Sequence, residues 1–114
     1  MSTPLWPYVT PGITDDLFER LPGIPMSPRE VRILLLSALR LKANSCLWDI
    51  GAGTGTITIE AALLCPQGQI VAIERDEDVA SLIRRNCVRF GVSNVEVIEG
   101  SAPECLTGLT RIPD

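Results

Sequence analysis

Apolar and polar positions change period several times along this chain, and the changes mark its elements. Val31, Leu34, Leu35, Ala38 and Leu39 recur at three- and four-residue spacing, which predicts an amphipathic helix that buries this face and runs to about Arg40. Ser27-Pro28-Arg29-Glu30 precedes it and matches a capping box with proline at the first helical position. Ser45-Cys46-Leu47-Trp48 is a short apolar run and reads as a first strand. A second helix is expected from about Thr54 to Leu64, where Ile57, Ile59, Ala61, Ala62 and Leu64 fit helical spacing; Pro66 stops it and Gly68 turns the chain. Gln69-Ile70-Val71-Ala72-Ile73-Glu74 is a buried strand that ends in an acid. Asp76 is placed to cap a third helix, with Glu77 and Asp78 in its first turn, Arg84, Arg85 and Arg89 late, and Gly91 as its stop. Asn94-Val95-Glu96-Val97-Ile98 reads as a third strand, and Ala102 to about Thr107 as the start of another helix.

The order α-β-α-β-α-β-α, with crossovers long enough for parallel pairing, predicts an α/β doubly wound sheet of about three parallel strands with flanking helices. Residues 1–26 hold five prolines and read as an N-terminal arm. One short helix is expected in it over Thr14–Arg20, with Thr14 as its N-cap; Trp6, Tyr8 and Phe18 are expected to pack the arm. Residues 27–114 form the α/β domain. The chain ends where a further strand is expected, and a three-stranded half-sheet leaves the first strand with an open edge. This predicts the N-terminal half of a larger domain, or an edge covered by another chain, and a segment that alone is poorly stable or oligomeric.

Composition narrows the chemistry. The 114 residues suffice for one small domain, and 46% of them are apolar, enough for a core. A net charge of -4 without a basic run disfavours a nucleic-acid partner. The chain has no histidine, which removes the usual general base, the usual zinc nitrogen ligand and any Ser-His or Cys-His pair; no metal site is expected. Cys46, Cys65, Cys87 and Cys105 are unevenly spaced, with no C-x-x-C pair, and read as buried small hydrophobes of a reduced compartment. No signal-like start or bilayer-length apolar run is visible, so the expectation is a soluble cytoplasmic protein without a membrane partner.

The candidate site is the turn Asp49-Ile50-Gly51-Ala52-Gly53-Thr54-Gly55 together with Glu74. A strand, a glycine turn and a helix form the βα element on which doubly wound folds hold nucleotide-like ligands. Glu74, about 20 residues on, stands where a carboxylate accepts hydrogen bonds from both hydroxyls of an adenosine ribose. NAD and S-adenosylmethionine compete for this geometry, the turn's N–H groups facing the rest of either ligand. Dinucleotide binders place a third glycine at the position occupied here by Thr56; the glycine falls at 55 instead. A ligand without a pyrophosphate does not need the dinucleotide spacing, and Asp49 with Glu74 suits a cationic sulfonium and amine. The residues therefore favour S-adenosylmethionine.

Four segments carry a family resemblance: Pro25-Met26-Ser27-Pro28-Arg29-Glu30-Val31-Arg32, Trp48 through Gly55, Ala72-Ile73-Glu74-Arg75, and Glu99-Gly100-Ser101-Ala102-Pro103-Glu104. From about residue 13 onward the chain resembles the cobalamin-biosynthesis precorrin methyltransferases, specifically the decarboxylating C15-methyltransferases of precorrin-6B or cobalt-precorrin-6B. The resemblance implies a Rossmann-like class I methyltransferase fold, S-adenosylmethionine as cofactor and a tetrapyrrole substrate. It also implies decarboxylation of an acetate side chain and a homo-oligomer, a tetramer. By resemblance Ser27, Gly51, Ala52, Gly53, Thr54 and Gly55 contact the cofactor, Glu74 holds the ribose and the Ala102 backbone meets the adenine; Asp49 joins them from its charge near the amino-acid end. No residue is assigned to catalysis. Two departures stand out: Ser101 occupies a position where the family commonly has Asp, and family members continue well beyond Asp114. Two other readings stay open, a truncated binding or assembly module without turnover and a methyltransferase acting on RNA or protein.

Overall fold

A computed structural model describes residues 3–101. Its elements are a 3-10 turn at Asp15–Leu17, α1 (Arg29–Leu39), β1 (Cys46–Ile50), α2 (Thr56–Leu64), β2 (Gln69–Glu74), α3 (Glu77–Phe90) and β3 (Val95–Glu99). The strands form one parallel sheet in the order β1-β2-β3, with Leu47 opposite Ile70 and Ile70 opposite Val95. This matches the expected α/β half-sheet, and β1 stands at one edge of it among the described residues. Cys105 and the helix expected from Ala102 lie outside the described residues.

The sheet is held by apolar packing on α2. Ala61, Ala62 and Cys65 meet Ile70 of β2 and Leu36 of α1, with Leu47 and Val95 against the same cluster. Ile13 and Phe18 of the arm join Ile59 of α2 and Phe90 of α3 in a second cluster. Phe18 and Phe90 lie with ring centroids 4.9 Å apart. Cys46 and Cys65 are buried and Cys87 is partly so, its thiol pushed up to about 11 by burial. Asp76 caps α3 as expected, its carboxylate accepting from the N–H groups of Asp78 and Val79, and Gly91 ends the helix in a left-handed conformation. Arg84 and Arg85 make exposed ion pairs with Glu99 and Glu19, each worth about 0–1 kcal/mol.

Three local expectations fail. Thr14 stands at the N-cap but its side chain makes no capping bond, and the arm makes only a three-residue 3-10 turn, because Phe18 turns to extended backbone and enters the core. The Ser27 capping box does not form either. Pro28, extended at φ −61 and ψ 154, is the N-cap of α1, and no side chain caps that helix. Proline biases the residue before it toward extended backbone, and the Ser27 carbonyl is taken by the Arg32 guanidinium. Finally, the expected core face of α1 is the outer one. Val31, Leu34, Leu35 and Leu39 are 51%, 74%, 41% and 39% exposed, Ala38 is exposed too, and Arg32 and Leu36 are buried. Periodicity locates an apolar stripe but not the neighbour that covers it.

The turn into β2 has a strict size limit. A Cβ on Gly68 would stand 2.0 Å from the Ser45 carbonyl oxygen, a backbone atom that cannot swing aside. Gly68→Ala is expected to destabilise the chain by at least about 1–3 kcal/mol, the usual cost of overpacking, seen as a lower urea midpoint. An unchanged midpoint would show that the turn relaxes freely.

Candidate functional site

Parallel pairing of β1 with β2 sets Ile50 opposite Ile73, so the glycine loop after β1 opens beside Glu74 at the tip of β2. Gly51, Gly53 and Gly55 all have left-handed backbone, at φ +70°, +60° and +89°. Their surroundings differ. A Cβ on Gly53 would stand 3.1 Å from the Pro25 carbonyl oxygen, and one on Gly55 would stand 3.2 Å from Ile83 of α3, whereas Gly51 faces open space. Gly53 thus admits the arm's last segment, Gly55 admits α3, and Gly51 leaves room for a ligand.

The loop's N–H groups are committed inside the protein. Those of Gly51 and Ala52 donate to the Ile73 carbonyl at 2.8 and 3.4 Å, that of Thr54 to the Pro25 carbonyl at 3.3 Å, and that of Gly55 to the Ala52 carbonyl at 3.0 Å. The Gly53 N–H donates to the Glu74 carboxylate at 3.3 Å. The expectation that these donors face the ligand is therefore corrected: the tight turn consumes them. A pyrophosphate relies on such donors, so the loop as folded does not offer a dinucleotide its usual anchor.

The loop, Glu74 and Ser27 surround a hollow of about 580 Å³. Ile24 and Pro25 form one wall, Leu35 and Ile57 add apolar surface, and Asp49, Glu74 and Asp76 add carboxylates. A second lobe of about 320 Å³, lined by Ile50, Ile73, Gly100 and Ser101, shares Gly51, Glu74 and Arg75 with the first. Glu74 stands where the lobes meet. Its carboxylate accepts from the N–H groups of Gly53 and Asp76 at 3.3 and 3.4 Å, both at the long end of hydrogen bonding. A carboxylate offers about four lone-pair sites, so this one retains acceptor capacity.

Asp49 sits at the end of β1 beneath the loop. Burial raises its pKa, the Thr58 hydroxyl that donates to it at 2.7 Å opposes the rise, and the Glu74 carboxylate adds to it. An acid with a raised folded pKa holds more protons folded than unfolded, so its contribution to stability falls as pH rises from the ordinary aspartate range through the raised value. Asp49→Asn keeps an acceptor for Thr58 and removes that loss. The variant is expected to gain stability relative to the parent as pH rises from 4 to 7, measured by urea midpoints. A constant difference across that range would contradict it.

Of the nine residues expected at the site, Ser27, Asp49, Gly51, Ala52, Gly53 and Glu74 line the larger hollow. Thr54 and Gly55 do not. Thr54 is buried with its hydroxyl donating to the Pro25 carbonyl at 2.9 Å, and Gly55 packs on Ile83. Ala102 lies outside the described residues. Sequence reasoning missed the wall formed by Ile24 and Pro25 and the lining by Arg75. It also missed Arg32 and Glu60, paired at 2.7 Å and almost wholly buried. One signal was available: Glu60 is the single charge in the largely apolar Thr56–Leu64, and a buried charge needs a partner. Among the described residues no cluster suits a metal ion, and no helix is long and apolar enough to cross a membrane.

Comparison with known proteins bears on the family and the fold. Residues 17–114 match the family described as precorrin methyltransferase domain. The chain is 48% identical over 108 residues to a probable cobalt-precorrin-6B C(15)-methyltransferase (decarboxylating) of Saccharolobus solfataricus, covering 93% of this chain and 54% of that one. A protein of the same description from Pyrobaculum calidifontis is 46% identical over 108 residues, covering 93% and 55%. Among solved structures, a precorrin-6Y C5,15-methyltransferase of Geobacter metallireducens superposes with a TM-score of 0.82 at 41% identity, covering 90% of this chain and 54% of that one. The chain spans about half the length of the curated relatives it matches.

Proposed function

This chain belongs to the precorrin methyltransferase family, and on that premise we propose that its hollow binds S-adenosylmethionine. The methyl group would go to C15 of precorrin-6B or cobalt-precorrin-6B, with loss of an acetate carboxyl as carbon dioxide. One observation carries the cofactor assignment: three carboxylates, Asp49, Glu74 and Asp76, outnumber the one cation, Arg75, in a hollow whose glycine loop has spent its N–H groups internally. That arrangement suits a cation with ribose hydroxyls and does not suit a pyrophosphate.

The residues present fit such a ligand. Glu74, at the junction of the lobes, would accept from the ribose hydroxyls. The apolar and backbone lining by Ile50, Ile73 and Gly100 would take the adenine, with Ser101 at its edge. Asp49 and Ser27, in the larger lobe, would hold the amino-acid end, Asp49 favouring positive charge there. When bound, the cofactor supplies an electrophilic methyl group on a sulfonium. In-line transfer to an electron-rich ring carbon depends mainly on alignment, which suits a site without histidine; the chain's share is to hold the donor and exclude water around it. Tetrapyrrole recognition, decarboxylation and tetramer assembly are carried over from the family as part of the same proposal.

Ultraviolet cross-linking of radiolabelled S-adenosylmethionine, followed by peptide mapping, tests the site. Label is expected on peptides containing residues 24–27, 49–53 or 74–76, and competed away by S-adenosylhomocysteine. Label confined to other peptides would refute the assignment. With precorrin-6B added, methyl transfer and carbon dioxide release would establish the reaction. Specific labelling without transfer would favour a binding module.

A further inference from the structure

The Glu-Val-Arg sequence at the start of α1 has no part in the site as described so far, yet its arginine is the largest fully buried side chain among the described residues. The Arg32 guanidinium reaches four partners. Its Nε donates to Glu60 at 2.7 Å, one terminal nitrogen donates to Asp15 at 2.8 Å and to the Ser27 carbonyl, and the other donates to the Ile13 carbonyl. Its carbon lies 5.1 Å from the centroid of the Phe18 ring. The rigid planar fork of arginine suits holding several points at fixed mutual positions, which a lysine cannot reproduce.

What those points hold is the wall of the hollow. Residues 24–27 pass over the glycine loop as a strap, with Ile24, Pro25 and Ser27 lining the larger lobe that Glu74 also lines. The strap is anchored on each side of Met26. Thr54 donates to the Pro25 carbonyl from both its N–H and its hydroxyl, and Arg32 donates to the Ser27 carbonyl. Without the second anchor, the Ser27 carbonyl loses the bond that ties it beside the site, and the strap is left with the Pro25 anchor and the packing of Met26. A buried ion pair can often be replaced by apolar residues without loss of stability, so bulk burial alone does not require this fork.

We propose that Arg32 is a positioning residue for the hollow: braced by Glu60, it fixes the 24–27 strap so that Ser27 and Pro25 meet the ligand. This rests on the hollow being the S-adenosylmethionine site. It is tested by titrating S-adenosylhomocysteine into the parent chain and three variants, with the folded fraction of each measured by circular dichroism. Arg32→Lys keeps the charge and loses the fork; its folded fraction is expected to bind about tenfold more weakly or worse, a loss typical of a hydrogen bond to a charged group. Asp15→Asn disturbs only the outer, partly exposed contact of Arg32 and should weaken binding about two- to fivefold. Leu36→Ala opens a cavity in the same helix away from the strap; it lowers the melting temperature and leaves the affinity of folded protein unchanged.

Arg32→Lys binding within twofold of the parent, or Leu36→Ala weakening binding as much as Arg32→Lys does, would overturn the positioning role while leaving the cofactor site intact. If Arg32→Lys fails to fold, Asp15→Asn decides: parental affinity in that variant overturns the proposal. A folded parent that binds no S-adenosylhomocysteine would instead remove the cofactor assignment and this inference with it.

Discussion

Glu60→Ala is expected to cost about 3–5 kcal/mol of folding stability, the range found when one partner of a buried ion pair is deleted. The carboxylate is 1% exposed and accepts three hydrogen bonds: from Arg32 Nε at 2.7 Å, and from the N–H groups of Gly12 and Ile13 at 2.6 and 3.3 Å. Its loss leaves a buried guanidinium short of its counter-charge and two backbone donors without an acceptor. Small domains have about 5–15 kcal/mol in total, so the variant should be largely unfolded at modest urea concentrations. Glu60→Gln restores an acceptor for the backbone groups but no charge, and should fall between. Replacing Glu60 and Arg32 together with leucine should cost less than Glu60→Ala alone, since no unpaired charge remains buried. Urea denaturation measures all three, and a Glu60→Ala loss below about 1 kcal/mol, the scale of a surface pair, would show that water reaches the pair.

Glu74→Ala is expected to leave the fold intact and to weaken S-adenosylhomocysteine binding roughly 5- to 150-fold, or about 1–3 kcal/mol. The side chain is only partly buried, and its two hydrogen bonds within the protein, at 3.3 and 3.4 Å, are long. Little folding energy is at stake in them. A carboxylate that accepts from ribose hydroxyls, by contrast, makes bonds that the variant cannot replace, and the hydroxyls lose their acceptor. Glu74→Gln keeps one acceptor oxygen and should show an intermediate loss. Titration calorimetry with matched melting curves reads both effects. An affinity unchanged in Glu74→Ala would make this residue a surface acid at the start of the α3 turn.

Most of the fold was legible because its signals are local. Pro66, Gly68, Asp76 and Gly91 each act on their own backbone, and β2 and α3 appear where those residues put them. The parts that were not legible depend on distant neighbours. Ser27-Pro28-Arg29-Glu30 has the local form of a capping box, but the Ser27 carbonyl goes to Arg32 and Pro28 takes the cap. The α1 stripe is apolar as read, yet it faces outward, because α1 meets the core through Arg32 and Leu36. At the site, the spacing of Gly51, Gly53, Gly55 and Glu74 identified the loop and its acid. It did not reveal that Thr54 and Gly55 serve the strap and α3, since those partners come from residues 29 positions before Thr54 and from α3. The separation of β1 from β2 brought Asp49 and Glu74 to one hollow, as parallel register requires.

The choice between a cationic adenosine ligand and a dinucleotide is tested most directly by calorimetric titration of the folded chain with S-adenosylhomocysteine and, separately, with NAD. One equivalent of S-adenosylhomocysteine should bind with an affinity that Glu74→Ala reduces, while NAD gives no saturable heat. Saturable NAD binding equal to or tighter than that of S-adenosylhomocysteine, or no S-adenosylhomocysteine binding by demonstrably folded protein, would contradict the assignment of the hollow.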